Sequence, residues 1–301
     1  MKSTNSKSLN KNNILRLPSW IQFPISKATE FERVQNLIKE SKIHTICEEG
    51  RCPNRAECYA SGTATFLLGG SICSRSCAFC QVNKGTPEGV NLEESKKVAD
   101  AVKKLNLKYV VLTSVARDDL NDHGVIFFTS TISEIRKIDS EIKIEVLTPD
   151  LWGGGKNIQE RKELQTQRLR KILETNPVCF NHNLETVERL QKEVRRGASY
   201  KNSLNLLRNS KRINPNIQTK SGIMLGLGET LSEIKETLLD LNNINCDQLT
   251  IGQYLRPSLN HLPVEKYWAP QEFNYISDYA KELGFRKVSC GPLIRSSYHA
   301  G

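Results

Sequence analysis

Six of the nine cysteines lie between Cys47 and Cys80, in two groups of three. Cys47, Cys52 and Cys58 are spaced C-x4-C-x5-C. Cys73, Cys77 and Cys80 are spaced C-x3-C-x2-C, with Phe79 directly before the last. Three thiolates are one fewer than a closed tetrahedral zinc or iron–sulfur site uses. Each group therefore leaves a coordination position for something else, and an open metal position is where metals do chemistry. The second spacing is too tight to close a four-cysteine zinc site alone, and no further C-x2-C unit of the kind that zinc modules pair is present. No apolar run approaches the roughly 20 residues that span a bilayer, and no apolar leader opens the chain. Metal ligands rather than disulfides are the expected use of these cysteines.

The elements that must position them alternate between strand and helix. Residues 1–16 are rich in Ser, Asn and Lys and read as a disordered tail. A helix over Phe31–Ser41 delivers the chain to Cys47, and the first triplet sits in loop sequence with Gly50, Pro53 and Asn54. Thr63–Leu68 reads as a buried strand, and the second triplet follows its C-terminal end. Further strands are expected at Tyr109–Leu112, Ile142–Leu147, Val178–Phe180, Gly222–Leu225, Gln248–Ile251 and Phe285–Val288. Helices are expected between them, near 92–105, 125–138, 185–194, 202–212, 230–243 and 271–283. A polar stretch over 152–167 is expected to precede only a short helix before Val178. Such alternation predicts an α/β fold with a parallel sheet. Six or seven units suit a partial, open TIM-type (β/α)6 barrel better than two Rossmann halves. In such sheets ligands bind beyond the C-terminal strand ends. The formal charge of +10 favours anionic partners, but no dense basic run interleaved with aromatics points to nucleic acid.

The second triplet, after a first strand and ahead of repeated β/α units, resembles the radical S-adenosylmethionine superfamily. That resemblance implies a [4Fe–4S] cluster on Cys73, Cys77 and Cys80, with S-adenosylmethionine on the open iron. It places the methionine amino group near Thr113–Asp119 and the ribose near Asn181, His182, Asn183 and Glu185. It sets the adenine beside Gly222–Glu229, with Met224 where the superfamily has Ile. Contacts to the cofactor are expected from Phe79, Thr113, Asn183, Glu185 and Arg195.

The paired triplets, the segments TSVARDDL (113–120), HNLETVERL (182–190), YKNSLNLL (200–207), TKSGIMLGLGET (219–230) and LTIGQYLRPSLNHLPVEKY (249–267), and the ending Arg295-Ser296-Ser297-Tyr298-His299-Ala300 resemble the lipoyl synthase family over nearly the whole chain. This implies an auxiliary [4Fe–4S] cluster on Cys47, Cys52 and Cys58 with Ser297 as fourth ligand. Implied boundaries are an N-terminal extension over 17–62, a barrel over 63–288 and a C-terminal segment over 289–301. Implied chemistry is insertion of two sulfurs, at C6 and C8 of a protein-bound octanoyl chain, by two S-adenosylmethionine molecules per lipoyl group. Implied partners are octanoylated lipoyl carrier domains (2-oxoacid dehydrogenase acyltransferase subunits, glycine cleavage H protein), a flavodoxin or ferredoxin reductant and an iron–sulfur cluster donor, in the cytoplasm. Neither nucleic acid nor membrane is expected. The competing readings are a biotin synthase-like or methylthiotransferase-like sulfur inserter and a zinc-binding module.

The chain departs from the family in two loops. His123-Gly124 stands where the family has Gly-Gly, and the stretch after Pro149-Asp150-Leu151-Trp152-Gly153 is longer. His123 reads as a surface or cap histidine, and Cys179, Cys246 and Cys290 as structural thiols.

Overall fold

A computed structural model describes residues 15–22, 28–60 and 64–298, with side chains from 31 onward in the first helix. Most of the predicted tail, Thr63 at the start of the expected strand, and His299, Ala300 and Gly301 lie outside the described residues. Helix α1 (Ala28–Ser41) leads through β1 (His44–Thr45) into α2 (Ile46–Glu49) and α3 (Arg55–Ala60). Strand β2 (Thr65–Leu68) follows, then the short strands β3 (Ile72–Cys73) and β4 (Asn83–Lys84). Alternation then begins with α4 (Glu93–Lys104), β5 (Tyr109–Ser114), α5 (Val125–Ile138), β6 (Lys143–Leu147), α6 (Ile158–Leu173) and β7 (Cys179–Asn181). A 3-10 turn at Glu188–Leu190 runs into α7 (Gln191–Val194) and α8 (Tyr200–Ile213). The remainder is β8 (Gln218–Leu225), α9 (Leu231–Asn243), β9 (Gln248–Gln253), α10 (Pro270–Glu282) and β10 (Lys287–Cys290).

Eight strands form one sheet in the order β1-β2-β5-β6-β7-β8-β9-β10. Only β1 runs antiparallel, against β2, and the other seven are parallel. Six helical crossovers join those seven strands in sequence order, as the alternation predicts. One register row runs Leu67, Thr113, Leu147, Asn181, Lys220 and Gln248. It falls at or one residue before the C-terminal ends of β2, β5, β6 and β7 but at the third residue of β8 and the first of β9, so the strands are staggered across the sheet. The sides of β2 divide: Phe66 and Leu68 enter the main core with Val110, Leu112, Ile144, Val146 and Phe180. Leu67 instead joins Val82 and Val115 in a small apolar cluster edged by Ile46, Cys73 and Cys80. Each fully buried large apolar side chain contributes roughly 1.5–3 kcal/mol.

Three sequence expectations change. The polar stretch at 152–167 is mostly helix, because α6 starts at Ile158 with the Asn157 side chain accepting from the Glu160 N–H at 2.9 Å. Its buried face includes Gln165 and Arg168 beside Leu169, Ile172 and Leu173, so the apolar period is interrupted. The helix expected over 185–194 is a 3-10 turn and a single α-turn, because Glu185 takes φ +67° and makes an isolated bridge to Ile223. His123 is buried, not on the surface: it takes φ +53°, ahead of Gly124 at +83°, and its ring packs on Gly153. Positive φ at both positions is the physical ground for glycine there.

Candidate active site

Beyond the C-terminal ends of the parallel strands lies a cavity of about 680 Å³. Its wall includes Cys47 and Cys52 of the first triplet and all of the second, Cys73, Cys77 and Cys80. Ser297 and each of Phe79, Thr113, Asn183, Glu185 and Arg195 line the same space. The sixth cysteine, Cys58, does not line it, although it is near enough to Cys47 to help raise that thiol's pKa. The first triplet is not in a plain loop. Cys47 lies in α2, capped by Thr45, and Cys58 lies in α3, with only Cys52 on the turn between them.

The second triplet is held from three sides. Cys73 Sγ accepts the Arg75 N–H at 3.4 Å and the Ala116 N–H at 3.3 Å, an arrangement that suits a thiolate. Arg75 sends two bonds of 2.7 Å to the Asp118 carboxylate and meets Asp150 at 2.7 Å, so its loop is tied to the ends of β5 and β6. His123 Nδ1 lies 3.3 Å from Asp118 Oδ1, at the back of this ion network. On the far side His261 Nε2 donates to the Cys80 carbonyl at 3.1 Å, and Leu262 N–H to that of Ala78. Burial pushes the Cys47 and Cys80 thiols up to about 12. For these two thiols burial favours the neutral form, and a bound cation reverses that preference.

The first triplet is closed by the segment after β10. Asn54 Nδ2 donates to the Leu293 carbonyl at 2.6 Å, and Tyr298 Oη donates to the Glu57 carboxylate at 2.9 Å. Pro292 O accepts the Gln253 N–H at 3.2 Å. The segment passes so near β9 that a Cβ on Gly252 would be driven into the Ile294 carbonyl oxygen. It then reaches the opposite wall, where Asn183 Nδ2 donates to Ser296 Oγ at 2.6 Å and to Glu185 Oε1 at 3.0 Å. Arg295 is half-buried near Cys52 and Glu185, and desolvation lowers its pKa.

Five buried polar atoms on the cavity wall have no protein partner: Gln81 Oε1, Ser114 Oγ, Thr148 Oγ1, Asn183 Oδ1 and Arg256 Nη1. Buried polar groups are normally satisfied. Five on one wall, beside cysteines ringed around a space rather than a point, fit a bulky cluster and a polar ligand such as S-adenosylmethionine. Among the described residues no three His, Cys, Asp or Glu side chains converge as they would on one metal ion.

Two expected ribose contacts lie elsewhere. Asn181 Nδ2 donates to Glu145, and His182 is buried against Thr148 and Ser203; neither lines the cavity. From 222–229 only Gly222, Ile223 and Met224 line it. Glu229 is occupied instead with the Leu227 N–H at 2.9 Å, the Gly226 N–H at 2.5 Å and Trp268 Nε1 at 2.9 Å. Sequence reasoning missed Ser296, Arg295, Arg256 and His261. Their place in the motifs around 249–267 and 295–300 was the available signal.

Fold and site together define a radical S-adenosylmethionine enzyme: the Radical SAM superfamily model matches residues 67–241. The solved structure of HydG, a maturase of the [FeFe]-hydrogenase, has the same fold at TM-score 0.55 and 11% identity over 86% of this chain and 69% of its own. The structure of Streptococcus suis SuiB bound to S-adenosylmethionine matches at 0.55 and 12%, over 88% of this chain and 61% of its own. The N-terminal domain of lipoyl synthase matches residues 2–52. "Lipoyl synthase 2" of Prochlorococcus marinus subsp. pastoris is 72% identical over the whole of both chains. "Lipoyl synthase" of Pseudoalteromonas translucida is 47% identical over 96% of this chain and 88% of its own. The chain belongs to the lipoyl synthase family, whose members insert sulfur by radical chemistry. Among the described residues no helix is long and apolar enough to cross a membrane.

Proposed function

We propose that the enzyme inserts sulfur at C6 and C8 of an octanoyl chain held on a lysine of a carrier protein. Cys73, Cys77 and Cys80 hold one [4Fe–4S] cluster; Cys47, Cys52 and Cys58 hold a second, with Ser297 as its oxygen ligand. The observation that carries this reading is that five of the six cysteines and Ser297 line one cavity with the candidate cofactor contacts. When bound, the first cluster and S-adenosylmethionine supply a 5′-deoxyadenosyl radical able to take hydrogen from an unactivated carbon, and the second cluster supplies sulfur.

This chain's residues bind, orient and exclude water. Arg195 takes the S-adenosylmethionine carboxylate, Asn183 and Glu185 the ribose hydroxyls, and Phe79 and Thr113 complete the wall. Leu67, Val82, Val115 and Ile46, the apolar patch between the triplets, offer the acyl chain a dry surface. The sheet acts as a partial, open (β/α)6 barrel over 63–288. The extensions over 17–62 and 289–301 carry the auxiliary site, and 1–16 is a tail. The basic balance of the chain suits acidic lipoyl carrier domains and an acidic reductant of the flavodoxin or ferredoxin kind. A cluster donor restores the sulfur, and the work is done in the cytoplasm.

Anaerobic turnover with an octanoylated lipoyl domain, dithionite and S-adenosylmethionine, read by mass spectrometry of the domain, tests the assignment. Cys77→Ala loses both S-adenosylmethionine cleavage and sulfur insertion; Cys52→Ala keeps cleavage and loses insertion. Equal loss of cleavage in both variants would refute the division of ligands.

A further inference from the structure

We infer that His182, buried behind the cavity wall, is a positioning residue that presents the Arg195 guanidinium to a ligand carboxylate with its charge left uncancelled. The inference rests on the proposed reading of the cavity and adds a residue that reading does not use.

Arg195 is buried and lines the cavity, yet among the described residues it makes no ion pair. Its side-chain partners are Ser203 Oγ, at 2.7 Å from Nη1, and His182 Nε2, at 3.2 Å from Nη2. Elsewhere in the same region Arg75 is met by Asp118 and Asp150, and Arg117 by Asp119. Glu185, the carboxylate on the cavity wall, feels Arg195 through space but makes its hydrogen bond with Asn183 and forms no ion pair with the guanidinium among the described residues. A buried cation without a carboxylate bonded to it is costly. At the edge of a cavity the economical explanation is that the ligand brings the anion.

The protonation of His182 follows from its neighbours. The ring is fully buried, and Nδ1 lies 2.8 Å from the Thr148 carbonyl oxygen. A carbonyl only accepts, so Nδ1 carries the hydrogen and Nε2 presents a lone pair. That lone pair faces two donors, the Arg195 guanidinium and the Ser203 hydroxyl at 2.9 Å. Ser203 Oγ accepts from Arg195 Nη1 and passes its own hydrogen to Nε2, so all three groups are satisfied in one arrangement. A second proton on Nε2 would meet both donors head-on. Burial first and Arg195 next push the His182 pKa down to about 3.

This explains why the position holds an imidazole. A carboxylate would bind the guanidinium more tightly but would neutralise it, leaving little attraction for a ligand anion. A neutral acceptor fixes the fork and leaves the charge available. Glutamine can bring an amide oxygen to the Nε2 position; asparagine, one carbon shorter, reaches only as far as Nδ1.

The test uses the two-cluster enzyme and the cluster-free protein. In the holoenzyme, His182→Asn raises the KM and the equilibrium Kd for S-adenosylmethionine tenfold or more and leaves kcat within about twofold. His182→Gln retains most of the affinity, and His182→Glu binds at least as weakly as His182→Asn. In an Arg195→Met background the Asn substitution has no further effect on Kd. In the cluster-free wild-type protein, nitrogen NMR of the five histidines shows one neutral Nδ1–H ring that does not titrate between pH 8 and 5. Unchanged affinity in His182→Asn, an equal loss with and without Arg195, or the opposite tautomer at His182 overturns the inference while the reading of the cavity stands. Failure of the wild-type holoenzyme to bind S-adenosylmethionine overturns both.

Discussion

Gly252 stands near the C-terminal end of β9 without a positive φ, so its need for glycine comes from a neighbour rather than from its own dihedrals. A Cβ there would collide with the Ile294 carbonyl and would come 3.0 Å from Arg295 Nη1. The strand is held by β8 and β10, whereas Ile294 belongs to an irregular segment, so in Gly252→Ala the segment moves. Moving it breaks three bonds to its surroundings: Gln253 N–H to Pro292 O, Asn54 Nδ2 to Leu293 O, and Asn183 Nδ2 to Ser296 Oγ. At a net contribution of about 1 kcal/mol each, the loss is about 3 kcal/mol. Local opening of 291–298 should therefore become roughly a hundredfold more frequent, at about 1.4 kcal/mol per tenfold. Hydrogen–deuterium exchange read by mass spectrometry would show this as faster exchange in peptides covering 291–298, with peptides of β5 and β8 unchanged. Gly291→Ala is the control, because its nearest new contact, Ile294 Cγ1 at 3.6 Å, is an ordinary one. Unaltered exchange over 291–298 in Gly252→Ala, or equal acceleration across the sheet, would refute the reasoning.

Three further outcomes are expected. Lys220 and Glu145 form a buried pair at 3.0 Å, with Tyr109 and Asn181 also donating to the carboxylate. Lys220→Met should cost about 3–5 kcal/mol in urea unfolding by stranding that charge, and Lys220→Met with Glu145→Gln should recover part of it. Burial first, then Arg195 and Arg75, hold the folded pKa of His182 near 3 against an ordinary 6.5, opposed by the Thr148 carbonyl and Asp150. Between those values the unfolded chain binds one proton more, so stability is lost as pH falls through that window, by up to about 1.4 kcal/mol per unit. In His182→Gln the slope of unfolding free energy between pH 4 and 6 should flatten by about one proton. Finally, Ser296→Ala should weaken S-adenosylmethionine binding several-fold through Asn183 with both clusters retained. Ser297→Ala should instead alter the iron content or spectrum of the auxiliary site, and iron analysis with dialysis binding separates the two.

The sequence was most informative where local pattern and tertiary role agree. Helix α5 falls at 125–138 as its periodicity predicts, β5 and β8 extend the short apolar runs that announced them, and β6 covers its expected run but for Ile142. Helix α6 was hidden because three glycines, at 153–155, precede it and polar Gln165 and Arg168 occupy its inner face. Gln165 Nε2 donates to the Asp150 carbonyl, and Arg168 donates to the carbonyls of Leu151, Gly153 and Asn121. No hydrophobic period records such bonds. The cysteine triplets announce themselves by spacing, but Ser297 does not; only likeness to a family raised it above an ordinary serine. His182 and Asn181 were misplaced for a related reason. Strand β7 ends at Asn181 and the chain bends beyond it, with Glu185 at φ +67°, so no strand alternation carries through 181–185: Asn181 and His182 turn away from the cavity that Asn183 and Glu185 line. His123 gave no sign of burial, since its contacts with Asp118 and Gly153 come from two separate loops.

The bonds from Asn54 to Leu293 and from Glu57 to Tyr298 join residues 239 and 241 positions apart. Closing so long a loop costs entropy that neighbouring strands, paired across one helix at a time, do not incur. In folding time this makes the segment after β10 a latecomer: the parallel sheet can assemble crossover by crossover before that segment arrives. Cys47 and Cys52 on the cavity wall, and Cys58 beside it, then wait longer for their cover than the strand ends do. That order leaves an interval in which the proposed auxiliary site is accessible to an incoming cluster while the sheet beneath it is already built.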